Sequence, residues 1–198
     1  MHLRSVLRVL VPTFLFVVLT ACATSTNIDK NAVFNADSPD AVVIMGVSPA
    51  YHITVSKGSA TRLSFNYSTL FPPAFVIQPE NGYIVARVSA TSQDQAFAIT
   101  HIRTDSSGGP TFKSCDGRQA VTFEAKPGEV LYLGNFHYLT SQERLRYSRF
   151  QRLERAQEHL RTYYPNIVPE AKSAQLEYRE VIGLSCVEKI YIPITIYR

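Results

Sequence analysis

The sequence contains no tryptophan, only three cysteines and two methionines, and nine glycines in 198 residues. Lacking Trp, it lacks the strongest sugar-stacking side chain, and that role would fall to its eleven tyrosines. There is no Cys-x-x-Cys and no Gly-x-Ser-x-Gly, so a dithiol redox motif and a nucleophile elbow have no support. His52, His101, His137 and His159 lie in separate segments with no His-x-x-x-His or His-x-His spacing, which disfavours a metal site. Ser107-Gly108-Gly109 lacks the lysine and the following helix of a phosphate loop. No catalytic residue, metal ligand or cofactor is expected on these grounds. Missing too is an apolar run of the about 20 residues needed to span a bilayer; the longest, residues 9–21, is short and holds Pro12.

What that short run does have is two arginines before it, Arg4 and Arg8, and Leu19-Thr20-Ala21-Cys22 at its end. A basic start, a short apolar stretch and small residues before a cut make a secretory signal. Leu19-Thr20-Ala21-Cys22 resembles the lipobox of bacterial lipoproteins, which implies that Cys22 carries lipid and that residues 1–21 are removed. Two or three acyl chains, each adding ~0.8 kcal/mol per buried methylene, give stable attachment. Ala23 stands where aspartate favours inner-membrane retention in enteric lipoproteins, so the resemblance implies the outer membrane, facing the periplasm. Residues 22–40, rich in Ser, Thr, Asn and Asp, are expected to be the lipidated cysteine and a flexible tether of roughly 25 Å, with a short docked strand near Val33 as the alternative.

Cleavage removes Arg4 and Arg8, so 18 basic residues face 16 acidic ones, a balance that does not predict nucleic-acid binding. With Cys22 assigned to lipid, Cys115 and Cys186 remain as a pair in an oxidising compartment and are expected to form a structural disulfide.

Residues 41–198 read as one domain. Short runs rich in Val, Ile, Phe, Tyr and Thr at 41–47, 51–55, 62–67, 75–78, 83–89 and 96–103 alternate with Gly, Pro and Asn punctuation. The class expected is mainly β, an antiparallel β-sandwich with one amphipathic C-terminal helix packed on it. Residues 119–125 and 130–138 are expected to form a hairpin, because Lys126-Pro127-Gly128-Glu129 has the type II turn preference. A strand is expected at 144–147 and a helix at 149–164, opened by the capping box Ser148-Arg149-Phe150-Gln151 and ended by Pro165, with Phe150, Leu153, Ala156, Leu160 and Tyr164 on the buried stripe. A helical turn is weighed within 169–178. A strand at 186–197 completes the reading, with Pro193 placing it at an edge or a bulge.

Residues 123–136, an apolar strand, a Pro-Gly turn and an aromatic-Leu-Gly strand, followed by the helix ending in Tyr164-Pro165, resemble uncharacterised Gram-negative envelope lipoproteins. The resemblance brings no catalytic residues; a looser likeness is to transthyretin-like sandwiches. Arg155-Ala156 and Thr104-Asp105 resemble pieces of the outer-membrane-protein-A-like pattern but lie too far apart to form it.

One chemical feature rises above background: Arg144, Arg146, Arg149, Arg152, Arg155 and Arg161 crowd one stretch. Arg144, Arg152 and Arg155 are candidate contacts to an anionic surface, against a solvated face offset by Glu154 and Glu158. The functional expectation is a lipid-anchored, non-enzymatic envelope module that meets the membrane through its lipid and has an envelope protein, anionic glycan or lipid as partner. A small-ligand or glycan-binding module is the alternative, to be recognised by a concave Tyr-lined pocket, and a hydrolase ranks third, requiring a carboxylate or histidine pair that sequence separation hides.

Overall fold

Strand β1 (Asp40–Ser48) is apolar on both faces, and the structure uses both. Ala41, Val43, Met45 and Val47 enter one core while Val42 and Ile44 enter another, as the period-two alternation of a strand requires. The structure is a computed structural model that describes residues 27–67, 72–90, 95–104, 109–115, 117–141 and 144–186. Residues 1–26, Cys22 among them, and the strand expected at 186–197, beyond Cys186, lie outside the described residues.

After β1 come β2 (His52–Ala60), β3 (Ser64–Tyr67), β4 (Phe75–Ile77), β5 (Tyr83–Ser89), β6 (Gln95–Arg103), β7 (Thr111–Lys113) and β8 (Gln119–Glu124). They are followed by β9 (Val130–Ser141), β10 (Arg144–Phe150), α1 (Leu153–Tyr163), β11 (Lys172–Ser173) and β12 (Glu177–Ile182). Among the described residues the protein is thus mainly β with one helix. One sheet runs β10-β9-β1-β5, with β11 added beside β9. In the other, β2, β3, β12, β8 and β6 are paired in succession and β6 returns to β2, so five strands close into a barrel; β4 and β7 extend it outside the ring. Pairing is not antiparallel throughout: β1 and β11 lie parallel to β9, and β12 parallel to β3.

The closed ring explains the small residues of its strands. Five strands leave a narrow interior, filled by Phe65 with Ala96, Ala98, Ala120 and Val181; Ser56 and Thr100 share a buried 2.7 Å hydrogen bond. The outward faces of the barrel strands supply Ile53, Val55, Phe97, Ile99, Val121 and Phe123 to the large core shared with the open sheet. Across the open sheet, α1 packs Ala156 and Leu160 on Val42, Ile44, Val130 and Tyr132. The order of layers is therefore helix, open sheet, barrel.

Four expectations are corrected. The Pro-Gly turn forms, with Gly128 at φ 73° and the amide of Glu129 donating to the Lys126 carbonyl at 3.2 Å, but it makes no hairpin. β8 pairs with β6 and β12, and β9 with β1, β10 and β11, so the turn carries the chain from barrel to open sheet.

Secondly, the helix starts at Leu153 rather than 149. Arg149 and Phe150 extend β10 opposite Phe136 and Asn135, and Phe150, expected on the buried stripe, is exposed. The Ser148 capping box is overridden by strand pairing. In its place the phenol oxygen of Tyr132 accepts from the amide of Arg152 at 3.0 Å, just ahead of the first helical residue. At the other end Tyr164, before Pro165, leaves helical geometry as expected.

Thirdly, no helical turn forms in 169–178, which instead contains β11 and the start of β12. Fourthly, the described part of the expected tether is docked. The amide of Ile28 donates to the Val85 carbonyl at 2.8 Å, the side chain of Asn27 accepts from the Val85 amide at 2.8 Å and donates to the Gln78 carbonyl at 3.1 Å, and Phe34 is fully buried and bridges to Ile167. A buried Phe contributes roughly 1.5–3 kcal/mol, which adds to these hydrogen bonds in holding the segment on the sheet.

Candidate functional site

The feature that shapes the site is a bulge in β9. Ile44 of β1 lies opposite Tyr132 and Gly46 opposite Asn135, so β9 inserts one extra residue between them. Gly134 sits there at φ 112°, a conformation open to glycine at little cost. Before the bulge Leu131 and Leu133 face the large core; after it, Phe136 and Tyr138 do. Strict alternation would have turned those two rings the other way.

Beyond His137, which lies opposite Ser48 at the end of β1, β9 continues to Ser141 and returns as β10. This overhang and the barrel strands β6, β7 and β8 leave between them a cleft of about 610 Å³. Phe136, Tyr138 and Tyr147 pack as a cluster at its base, with ring centroids 5.6 to 6.0 Å apart. Burial holds the Tyr138 phenol far above its ordinary range. Tyr147 is likewise raised, first by burial and then by its hydrogen bond with Tyr178 of β12. Both rings are therefore neutral hydrogen-bonding groups, not anions.

The rim is cationic: Lys113, Arg118, Arg144 and Arg146 all line the cleft, with Thr100, Ser114 and Gln119 between them, and no carboxylate does among the described residues. The exposed guanidinium groups of Arg144 and Arg146 are two residues apart on one strand. Arg118 is placed by the loop that follows Cys115, its amide donating to the Cys115 carbonyl at 2.8 Å. Cys115 is bonded to Cys186, as expected, which pins this loop to the segment after β12. His101, next to the buried Thr100, has its pKa lowered, first by burial and then by Lys113.

The three arginines singled out from the sequence do not form one patch. Arg144 is on the cleft, whereas Arg152 and Arg155 line a separate 380 Å³ pocket with Tyr83, Asn135, His137 and Phe150. Arg144 and Phe150 stand at the two ends of the seven-residue β10, roughly 20 Å apart at strand rise. Arg149, expected on the helix, has its Nε bonded to the Leu133 carbonyl at 2.7 Å and serves the fold. Lys113, Arg118 and Tyr147 were not anticipated; only the period-two spacing of Arg144 and Arg146 signalled them in the sequence.

The structure does gather two histidines that the sequence separates: His52 and His101 share a 300 Å³ pocket with Arg103 and Tyr67. Among the described residues, no group of three or more His, Cys, Asp or Glu is placed to hold a metal ion, and no helix is long and apolar enough to cross a membrane. Another pocket, between β8 and β11, is lined by Lys126 and by charges that pair with one another: Lys172 with Glu129 at 2.7 Å, and Arg179 with Glu177 at 2.8 Å and Glu124 at 3.5 Å.

Comparison with protein-family models, with curated proteins and with solved structures found no match to this chain.

Proposed function

We propose that the chain is a lipid-anchored bacterial envelope protein, held at the outer membrane and facing the periplasm, that works by binding and not by catalysis. The anchor rests on Leu19-Thr20-Ala21-Cys22, and the binding on the cleft. Of the two non-enzymatic readings of the sequence, the cleft supports the ligand-binding one: it is concave, contains two tyrosines and falls within the usual size range of small-molecule sites, roughly 300–1,000 Å³.

The single observation that carries this reading is the cationic rim over a closed floor. Ile99, Val121, Phe136 and Tyr138 are each at least nine-tenths covered by the core, so they leave an acyl chain little apolar area at ~25 cal/mol per Å². Charge and hydrogen bonding dominate instead, and guanidinium groups match carboxylate and phosphate oxygens in a forked geometry. The ligand class is a small acidic sugar, carboxylated or phosphorylated, with the sugar face on Tyr147.

The test is calorimetric titration of the full chain in a neutral detergent with an oligogalacturonate and with a neutral oligosaccharide of the same length. Saturable binding of the acidic sugar alone, weakened by salt, is the expected result; no binding, or equal binding of both, would overturn it. We also read the contact between the two sheets as a sandwich in which one sheet has closed on itself. A transthyretin-like assignment rests on fold analogy, which carries no function.

A further inference from the structure

The docked N-terminal segment and the second arginine pocket meet at one turn. The amides of Glu80 and Tyr83 each donate to the other's carbonyl, closing a tight turn over Asn81 and Gly82. On one side of this turn lies the N-terminal segment: Asn27 bonds to Gln78 and Val85, and Lys30 pairs with Glu80. On the other side Gly82 and Tyr83 line the pocket that holds Arg152 and Arg155. His159 joins the two, its ring 4.5 Å from Tyr83 and 4.7 Å from Tyr163, while the Lys30 ammonium lies 5.9 Å from the Tyr163 ring centre.

At 100° per residue, Arg155, His159 and Tyr163 fall within roughly an 80° arc of α1, with Glu154 and Arg161 on the opposite side and Glu158 roughly 60° from Arg155; Arg152 lies just ahead of the first helical residue. Arg152 and Arg155 are exposed, and no ion pair joins either to a described carboxylate. Tyr83 lines the pocket with them, and Tyr163 is partly exposed on the same helix, roughly 12 Å along the axis from Arg155. Cations flanked by tyrosine are the side chains that suit the polar boundary of a bilayer.

Covalent reach supplies the orientation. From Cys22 to Asn27 is five residues, at most about 18 Å of extended chain, whereas a domain of this length is roughly 40 Å across. A domain tied so closely at Asn27 cannot turn its far side to the membrane that holds Cys22. We infer that the face formed by the Glu80 to Tyr83 turn, Tyr163, Arg152 and Arg155 lies on the anchoring leaflet, with the two arginines on the phosphates of anionic phospholipid headgroups. This inference rests on Cys22 being lipidated, as proposed above. It leaves the Arg144 cleft, formed between open sheet and barrel on the other side of the sheet from α1, turned to the periplasm.

Because the chain has no tryptophan, one introduced indole is a clean probe. Full-length lipidated Tyr163→Trp is reconstituted in vesicles of brominated-acyl phosphatidylcholine with phosphatidylglycerol, beside Leu63→Trp, which places the probe at an exposed position between β2 and β3 of the barrel. Quenching at position 163 at least twice that at position 63 is expected. Adding Arg152→Gln and Arg155→Gln to Tyr163→Trp should lower quenching in these vesicles to the level seen without phosphatidylglycerol. Equal quenching at both positions, no quenching at 163, or no effect of the arginine changes would overturn the inference. Mass spectrometry of the same samples separates the two failures: an unmodified Cys22 sinks the anchor and this orientation with it, whereas a lipidated chain with an unquenched position 163 sinks the orientation alone.

Discussion

Arg149 of β10 donates from Nε to the carbonyl oxygen of Leu133 at 2.7 Å, across the bulge that Gly134 makes possible. A Cβ added to Gly134 would lie 2.6 Å from that same nitrogen. Arginine and glycine therefore act together: the bulge leaves the Leu133 carbonyl open to the guanidinium, which fills the space a side chain at 134 would need. Since the bulge decides that Phe136 and Tyr138 face the large core, this pair also holds the floor of the cleft.

Arg149→Ala should cost about 1.5–3 kcal/mol, the range for a hydrogen bond from a charged donor. Gly134→Ala should cost at least as much, through its positive φ and the collision with Arg149. Because the two residues touch, the double variant should lose less than the sum of the singles. Denaturant melts of the three proteins give the numbers, and strict additivity would show that the contact carries no energy.

Tyr132 should matter beyond its burial. Its hydroxyl donates to Asn135 Oδ1 at 2.7 Å and accepts from the Arg152 amide at 3.0 Å, tying the bulge to the start of α1. Tyr132→Phe keeps the ring and removes both bonds, so a loss of about 1–3 kcal/mol is expected. Hydrogen exchange should accelerate at Arg152 and in the first turn of α1 while β12 stays protected; unchanged exchange in that turn would argue against the tie.

Reducing the Cys115–Cys186 disulfide opens a loop spanning 71 residues. The chain-entropy model assigns such a loop about 4 kcal/mol, a large share of a domain's stability. Cys115→Ser with Cys186→Ser should lower the melting temperature by several degrees and loosen the Arg118 loop, which shows as weakened binding at the cleft. An unchanged melting temperature would remove the bridge from the account.

Burial lowers the pKa of both His101 and His159 in the folded protein, with Lys113 adding to the effect at His101 and Glu80 partly opposing it at His159. A base with a depressed folded pKa takes up its proton more readily when unfolded. Their contribution to stability is thus intact above the unfolded value near 6.5 and falls as pH drops from there towards the folded values. His159→Phe, which keeps an aromatic ring against Tyr83 and Tyr163, should flatten the loss of melting temperature between pH 6.5 and 5. An identical pH profile in the variant would show that His159 does not titrate with unfolding.

Most of the longer strands were legible as short β-branched or aromatic runs, and β5 appears with the expected limits at Tyr83 and Ser89; β7 and β11, with two or three residues each, carry no such run. Partners were not legible. Nothing local in residues 123–130 says that the chain after Gly128 leaves β8 for β1, because that depends on where Asp40 and Ala36 lie: Asp40 accepts from the Gly128 amide at 2.8 Å, and Ala36 leaves no room for a Cβ there. The helix start was misplaced for a similar reason, since the Ser148 box is locally sound and is overruled by Arg149 and Tyr132 acting from β10 and β9. The docked segment around Phe34 was seen only as a lesser alternative, because Ile28, Val33 and Phe34 in a polar stretch give no periodicity. Of the site, Arg144 was found by its charge, but its separation from Arg152 and its company with Arg118 are products of barrel closure and the disulfide.

The most direct test of the binding cleft is amide and arginine side-chain chemical-shift mapping of the full chain in neutral micelles during titration with an oligogalacturonate. The account predicts that the largest shifts fall on Arg118, Arg144, Arg146 and Tyr147, that Arg152 and Arg155 stay still, and that Arg144→Gln with Arg146→Gln weakens binding at least tenfold while leaving the spectrum folded. Shifts confined to Arg152 and Arg155, or no shifts at saturating sugar, would contradict it.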